Sequence, residues 1–251
     1  MKVYFIDKYV ILSFLLILIV TAALGAGISK TAEVAAVANH ELPIYSVEAQ
    51  EKQVAVTFDT AWGDEDIDEI LKALESASCK ATFFVTGQWL DKFPGSAKKI
   101  AAAGHEIANH TDSHKHLTKL SDAEVLAEAN ICREKIKSVT GQEGRLIRAP
   151  YGEYDKNIIR LLRGGGYTPV QWSLDSLDYK GLSPSEIDAR ILPKLKCGDI
   201  ILFHTGTDNT AAYLPQILGK IKAQGYSFST VGDMILKENY IIDSSGRQKR
   251  L

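Results

Sequence analysis

The stretch QVAVTFDTAWGDEDIDEILKAL, Gln53 to Leu74, changes period halfway along. Its first part, residues 53–58, is a short β-branched and aromatic run of the kind that forms a buried strand. Its last part puts Ile67, Ile70, Leu71 and Leu74 at i, i+3, i+4 and i+7, the stripe of an amphipathic helix that must cover a neighbouring sheet. The same alternation continues downstream. Residues 81–85, 106–108, 146–148, 168–172, 199–203 and 227–230 have strand character, and helical patterns lie between them. Ser121 with Glu124, and Ser183 with Pro184 and Glu186, have the spacing of capping boxes that open two of those helices. Strands alternating with helices predict parallel pairing through right-handed crossovers, in a closed barrel or an open doubly wound sheet. With about seven units, the expected fold is an α/β, distorted (β/α) barrel of about seven parallel strands.

Outward from this core, the 251-residue chain is long enough for one such domain plus terminal extensions. Val10 to Val20 is apolar except for Ser13, and the run continues to Gly27 behind Lys2 and Lys8. That length and charge order predict a transmembrane helix, with the body of the chain on the extracytoplasmic side of the cell membrane. A cleaved signal peptide ending near Ala23, Gly25 and Gly27 is the alternative and would make the protein secreted. The expected division is 1–28 as cytoplasmic stub and signal anchor, 29–51 as spacer, 52–238 as the folded domain and 239–251 as a frayed, basic tail. A net charge of -2, from 29 basic and 31 acidic side chains, gives no reason to expect a nucleic-acid partner. Cys79, Cys132 and Cys197 have no C-x-x-C spacing and form no disulfide framework.

Side chains able to do chemistry cluster just past the expected strands, where βα loops build the active face of a barrel. Asp59, His110, Arg148, Asp175, Asp178 and His204 all fall there. Each alone could cap a helix or bond a loop backbone. Together they point to convergence on one site. His110 and His114, four residues apart, would project from one face of a helical turn and could ligate one ion. Two imidazoles completed by a carboxylate would suit Zn²⁺.

Five ordered blocks extend this reading: Thr57-Phe58-Asp59, His110-Thr111-x-x-His114, Arg148-Ala149-Pro150-Tyr151, Asp175-Ser176-Leu177-Asp178-Tyr179 and Leu202-Phe203-His204. Over about Val54 to Met234 they resemble the polysaccharide deacetylase family, carbohydrate esterase family four. The Thr57 to Gly63 form looks most like the branch associated with sporulation and cell-wall modification. The resemblance implies a metal-dependent hydrolase that removes N-acetyl groups from amino sugars of peptidoglycan or a chitin-like glycan. By that resemblance Asp59 is the general base, oriented by Arg148, and His204 the general acid, supported by Asp178. The backbone N–H of Tyr151 helps bind the oxyanion. Leu202 and Trp172 are candidates for the wall around the acetyl methyl group, although both could equally be core.

Two positions depart from the pattern, the milder being Tyr179 in place of the commoner Trp. Most family members have a second carboxylate after the first, as the third metal ligand, and this chain has Thr60. A neutral hydroxyl is a poor substitute, so another anionic oxygen is expected to complete a divalent site, Zn being the metal expected. Asp64 is the candidate, with Glu65, Asp66 and Asp112 as alternatives and an N-cap as its other reading. Two rival functions stay open: a non-catalytic glycan-binding or wall-assembly protein that retains the barrel, and an amidohydrolase acting on another N-acyl or cyclic amide.

Overall fold

The structure is a computed structural model that describes residues 41–207 and 209–251. The expected membrane segment and most of the expected spacer lie outside the described residues. Among the described residues no helix is long and apolar enough to cross a membrane.

Strand β1 (Ser46–Val47) precedes the main sheet, and β2 (Gln53–Thr60) is the centre of it. Helix α1 (Ile67–Ser76) follows β2 and buries Ile67, Ile70, Ala73 and Leu74, the face that the heptad-like spacing marks. Then come β3 (Thr82–Val85), β4 (Glu106–Asn109), β5 (Leu146–Ile147), β6 (Thr168–Pro169), β7 (Leu174–Asp175), β8 (Ile200–His204) and β9 (Ser227–Ser229). Hydrogen bonding runs β6-β5-β4-β3-β2-β8-β7, seven strands in one path, and β9 joins the start of β2. Every pairing in this sheet is parallel. Register brings Asp59 of β2 level with His204 of β8 and Phe84 of β3, and Asn109 of β4 level with Ile147 of β5. Chemistry-bearing residues thereby collect at the C-terminal ends of adjacent strands.

The sheet curls into a half-barrel instead of closing. Residues 168–172, read from the sequence as one strand, end after Pro169, and the chain then crosses to the opposite edge as β7. Proline has no N–H to continue a ladder, and both edge strands are two residues long. The β6 edge is covered by Ile44, whose N–H donates to the Pro169 carbonyl and whose carbonyl accepts from Gln171 N–H.

Two boundaries also differ from the sequence reading. Residues Glu41–Leu251 form one compact unit, so the domain begins about ten residues before position 52. Ile44 and Val47, expected in the spacer, are buried. The C-terminal segment is not frayed: β10 (Tyr240–Ile242) and β11 (Arg247–Arg250) pair antiparallel, and β11 pairs parallel with β1. Gln248 is buried there, with its amide bonded to both the N–H and the carbonyl of Leu236. Arg247 reaches the carbonyl of Cys197.

Helices α2 (Gly87–Lys92), α3 (Pro94–Ala102), α4 (Asp122–Thr140), α5 (Lys156–Gly164), α6 (Pro184–Ile191), α7 (Thr210–Ala223) and α8 (Val231–Met234) complete the layer. Both expected capping boxes are present, Ser121 with Glu124 at α4 and Ser183 with Glu186 at α6. A large apolar cluster including Val54, Val56, Phe58, Phe83 and Phe203 lies between sheet and helices. A second, including Ala55, Phe84, Ala108 and Ile200, fills the concave side.

Candidate active site

Asp59, His110, His114, Tyr151, Trp172, Leu202 and His204 all line one cavity of about 350 Å³. Arg148 and Asp178 lie buried behind it. Asp64, the expected third ligand, is left out of this constellation, and its alternatives Glu65, Asp66 and Asp112 do not line the cavity either. Asp64 Oδ2 accepts a hydrogen bond from Ser96 on α3 at 2.6 Å, and its backbone carbonyl accepts from Ile67 N–H. It does not cap α1 either, where the N-cap position belongs to Asp66.

Arg148 is fully buried and forms the base of the site. One terminal nitrogen donates to Asp59 Oδ1 at 2.7 Å and to Thr57 Oγ1 at 3.0 Å, and the other donates to the Gln171 carbonyl at 3.1 Å. Its guanidinium carbon lies 4.0 Å from the centre of the Phe84 ring and 5.4 Å from that of Trp172. Trp172 is therefore both cavity wall and packing for the arginine. Burial opposes ionisation of Asp59, but the positive charge of Arg148 and its hydrogen bond, with the charge of His204 adding to them, hold the carboxyl below its usual range. Oδ1 is committed to the arginine, which leaves Oδ2 toward the cavity.

His204 is held as firmly. Its Nδ1 bonds Asp178 Oδ1 at 2.7 Å, and its backbone N–H donates to Asp178 Oδ2 at 2.8 Å. Asp178 Oδ2 also accepts from Thr210 Oγ1, and Oδ1 from Tyr179 N–H. With Nδ1 taken, Nε2 is the ring nitrogen left for chemistry. Burial disfavours the imidazolium, yet the hydrogen bond to Asp178 and the charges of Asp59 and Asp178 outweigh it and raise the His204 pKa.

His110 and His114 meet with ring centroids 4.9 Å apart, but not on a helical turn. Residues 110–114 are a loop in which Thr111 (φ 69°) and His114 (φ 56°) take left-handed backbone conformations. Such conformations need local support. Asn109 Oδ1 accepts from Thr111 N–H, Thr111 Oγ1 accepts from His114 N–H, and Glu128 on α4 accepts from both the N–H and the hydroxyl of Ser113. Glu128 is thus a support that the spacing of the histidines did not reveal. The Arg148 carbonyl can only accept, so His110 Nδ1 carries the hydrogen in their 2.8 Å bond and Nε2 keeps its lone pair. That nitrogen stands 3.5 Å from Asp59 Oδ2. Burial lowers the pKa of both imidazoles, that of His114 to about 4 with His110 contributing.

An unprotonated nitrogen facing a carboxylate oxygen in a buried site is an arrangement that a cation relieves. The donors present fit a divalent ion at two positions, the imidazoles of His110 and His114. Among the described residues no three His, Cys, Asp or Glu side chains form a metal-holding group. Thr60 Oγ1 is buried without a hydrogen-bond partner, and Thr60 is not among the residues that line the cavity.

Three exposed aromatic residues ring the cavity: Trp62, Tyr151 and Tyr179. Tyr151 has φ 62° and stacks on His116 at 4.1 Å between centroids, and His116 in turn bonds Glu153. Trp62 received no role from the sequence; its signal was a lone tryptophan in an otherwise acidic strand-to-helix loop.

Residues 46–170 match the family model described as polysaccharide deacetylase. The chain is 33% identical to the uncharacterized protein YlxY of Bacillus subtilis over 77% of its own length and 60% of that protein's, so it spans less than two thirds of that relative. It is 34% identical to a peptidoglycan-N-acetylglucosamine deacetylase of Bacillus cereus, covering 72% of this chain and 68% of that one. Among solved structures, a CE4 family pseudoenzyme from Bacillus anthracis superposes with a TM-score of 0.74 at 27% identity, covering 84% of this chain and 71% of that one. A mutant of that pseudoenzyme has restored enzymatic activity.

Proposed function

Because this chain belongs to the polysaccharide deacetylase family, we propose that it hydrolyses N-acetyl groups on amino sugars of peptidoglycan or a related glycan. One observation carries the reading: Asp59 and His204 line the same cavity, each with one polar atom tied to a buried partner and the other left for the reaction. A carboxyl held below its usual range beside an imidazole held above its own is the division a base and an acid need.

In this mechanism the amide carbon of the acetyl group enters the cavity with its methyl toward Leu202 and Trp172. Asp59 Oδ2 takes a proton from the attacking water while Arg148 keeps Oδ1 fixed. The oxygen of the resulting tetrahedral intermediate is met by the backbone N–H of Tyr151. His204 Nε2 then gives its proton to the departing amine nitrogen, and Asp178 holds the imidazolium oriented through Nδ1. A divalent ion, Zn²⁺ in this proposal, would be held by His110 and His114 and would supply polarisation of the carbonyl and acidification of water. The apolar run of residues 10–27 supports a further proposal, that the domain acts outside the cell membrane, tethered to it or released by cleavage.

Acetate release from N-acetylglucosamine oligomers and from peptidoglycan tests the reaction, and the expected result is turnover lost in Asp59→Asn and His204→Gln. Thr60 favours one other reading, a glycan-binding protein without turnover. Glycan binding with no acetate released under Zn²⁺, Co²⁺ or Mn²⁺ would support that reading and defeat the first.

A further inference from the structure

Tyr151 supplies the proposed reaction with a backbone N–H, and it does so from a conformation that large side chains rarely take. It lies in the single 3₁₀ turn Pro150–Gly152 with φ 62° and ψ 4°, a left-handed geometry that brings Cβ close to the following carbonyl oxygen. The next two N–H groups are used within the turn, Gly152 donating to the Ala149 carbonyl and Glu153 to the Pro150 carbonyl. Among the described residues the Tyr151 N–H meets no protein acceptor, and Tyr151 lines the active cavity.

Burial does not hold this conformation, because Tyr151 is 55% exposed. Its ring is held instead. The imidazole of His116 lies flat against it, with centroids 4.1 Å and planes 12° apart, and His114 meets it edge-on at 4.7 Å. His116 is fixed in turn from two directions. A carboxylate can only accept, so Nδ1 donates to Glu153 Oε2 at 2.8 Å, and the next residue along the chain, Leu117, is buried in an apolar cluster with Ile147 and Ala149. Glu153 is anchored through its own neighbour: Tyr154 packs on the same cluster, and its hydroxyl shares a 2.8 Å hydrogen bond with that of Tyr45. Tyr151 and Glu153, two residues apart, therefore grip one imidazole from its face and from its edge. A swing of Tyr151 to negative φ would carry its ring off His116, so the stacking favours the left-handed state that the backbone alone disfavours.

We propose that His116 and Glu153 are positioning residues for the oxyanion: by clamping the Tyr151 ring they hold its backbone left-handed and keep its N–H in place for the developing negative charge. What the N–H meets rests on the deacetylase reading; the clamp rests on the contacts among Tyr151, His116 and Glu153.

The test combines kcat and KM for acetate release from N-acetylglucosamine oligomers with crystal structures of the wild-type chain and His116→Ala. A misplaced oxyanion donor costs rate more than binding, so His116→Ala should lower kcat by about ten- to a hundredfold and change KM by less than about twofold. Glu153→Ala should lose part of the same rate, and His116→Phe, which keeps a flat ring against Tyr151, should restore most of it. Glycine adopts positive φ without support, so His116→Ala should cause no further loss in a Tyr151→Gly background. In the crystal structure of His116→Ala, Tyr151 should leave positive φ. A raised KM with kcat intact, a full additional loss in the Tyr151→Gly background, or Tyr151 still near its present φ in His116→Ala overturns the clamp. So does a fall in Zn²⁺ affinity that parallels the fall in kcat, since His116 would then act through the cation. A wild-type chain that releases no acetate removes the deacetylase reading, and the clamp is then kept or lost on the sign of the Tyr151 φ in His116→Ala.

Discussion

The two sides of the cavity are finished to different degrees. On one side, His204 is tied to Asp178, and each oxygen of that carboxylate accepts two hydrogen bonds. On the other, His110 and His114 converge with no third metal-type side chain among the described residues, and the neighbouring Thr60 hydroxyl is buried without a partner. Under the proposed roles, the proton-transfer side has both of its residues held in place, whereas the cation side has no third metal-type side chain among the described residues. A fold can keep its acid and base in working geometry while losing strength at the metal, because the two rely on separate supports: Arg148 and Asp178 for the former, the 110–114 loop for the latter.

The largest effect should follow removal of the proposed base, Asp59, which faces both sides. Asp59→Asn should lower acetate release by about 10²–10⁴-fold, the usual contribution of a positioned general base. It should also lower the melting temperature, because the fully buried Arg148 loses its one carboxylate partner among the described residues. Wild-type turnover in this variant would show that the complete side works without its base and would end the comparison.

Thr60→Asp tests the deficient side. If position 60 reaches the cation, an anionic oxygen there should raise Zn²⁺ affinity of the metal-free protein by about tenfold or more, ~1.4 kcal/mol, by calorimetry. Unchanged affinity would mean that the shortfall lies in the histidine loop instead. A pH–rate profile sharpens the other side. Asp59 is held below the usual carboxylate range, so the base stays available into moderately acid solution and the rising limb lies low. In the proposed mechanism His204 must carry its proton, and its pKa is held above the ordinary imidazole value, so activity should be lost as pH rises through that raised value. Asp178→Asn removes the charge that raises it, and should shift the falling limb to lower pH with roughly a tenfold loss of rate. A falling limb that stays in place would assign it to another group.

The same contrast separates what the sequence disclosed from what it did not. β2, α1 and both capping boxes were legible because local period and cap chemistry agree with the final packing. Asp59, Arg148, Asp178 and His204 were locatable because each sits at or just after a strand end. The conformation of residues 110–114 was not, since i,i+4 spacing suggests a helical turn and the left-handed Thr111 and His114 depend on Glu128, fourteen or more residues away. Strand β11 was hidden for a similar reason: its basic residues 247–250 read as solvated tail, and its partner β1 lies about 200 residues upstream. The end of β6 at Pro169, where Ile44 pairs beside Val170 and the chain leaves for the opposite edge, involves a partner more than 120 residues upstream that no local pattern contains.

The smallest predicted effect bears on why the deficient side keeps its shape. Glu128 is nearly buried on α4, with Oε2 accepting the Ser113 N–H at 2.8 Å, Oε1 accepting the Ser113 hydroxyl at 2.5 Å, and the exposed Lys115 ammonium 3.2 Å away. Burial disfavours the carboxylate, but the Ser113 hydrogen bonds and Lys115 overcome it and the pKa is lowered. A depressed carboxyl contributes stability above its unfolded pKa and loses it as pH falls through the folded value. Glu128→Gln keeps the size of the side chain but weakens both bonds to Ser113, at a cost of about 1–2 kcal/mol once the solvent-screened lysine is discounted. Chemical denaturation should show that difference at neutral pH and a smaller one in acid, where the wild-type carboxyl protonates. The loop would then hold His114 less firmly, so Zn²⁺ affinity should fall while the pH limb assigned to His204 stays fixed. Equal losses on both sides of the cavity would mean that they share a support, and the separation between proton transfer and cation binding would have to be given up.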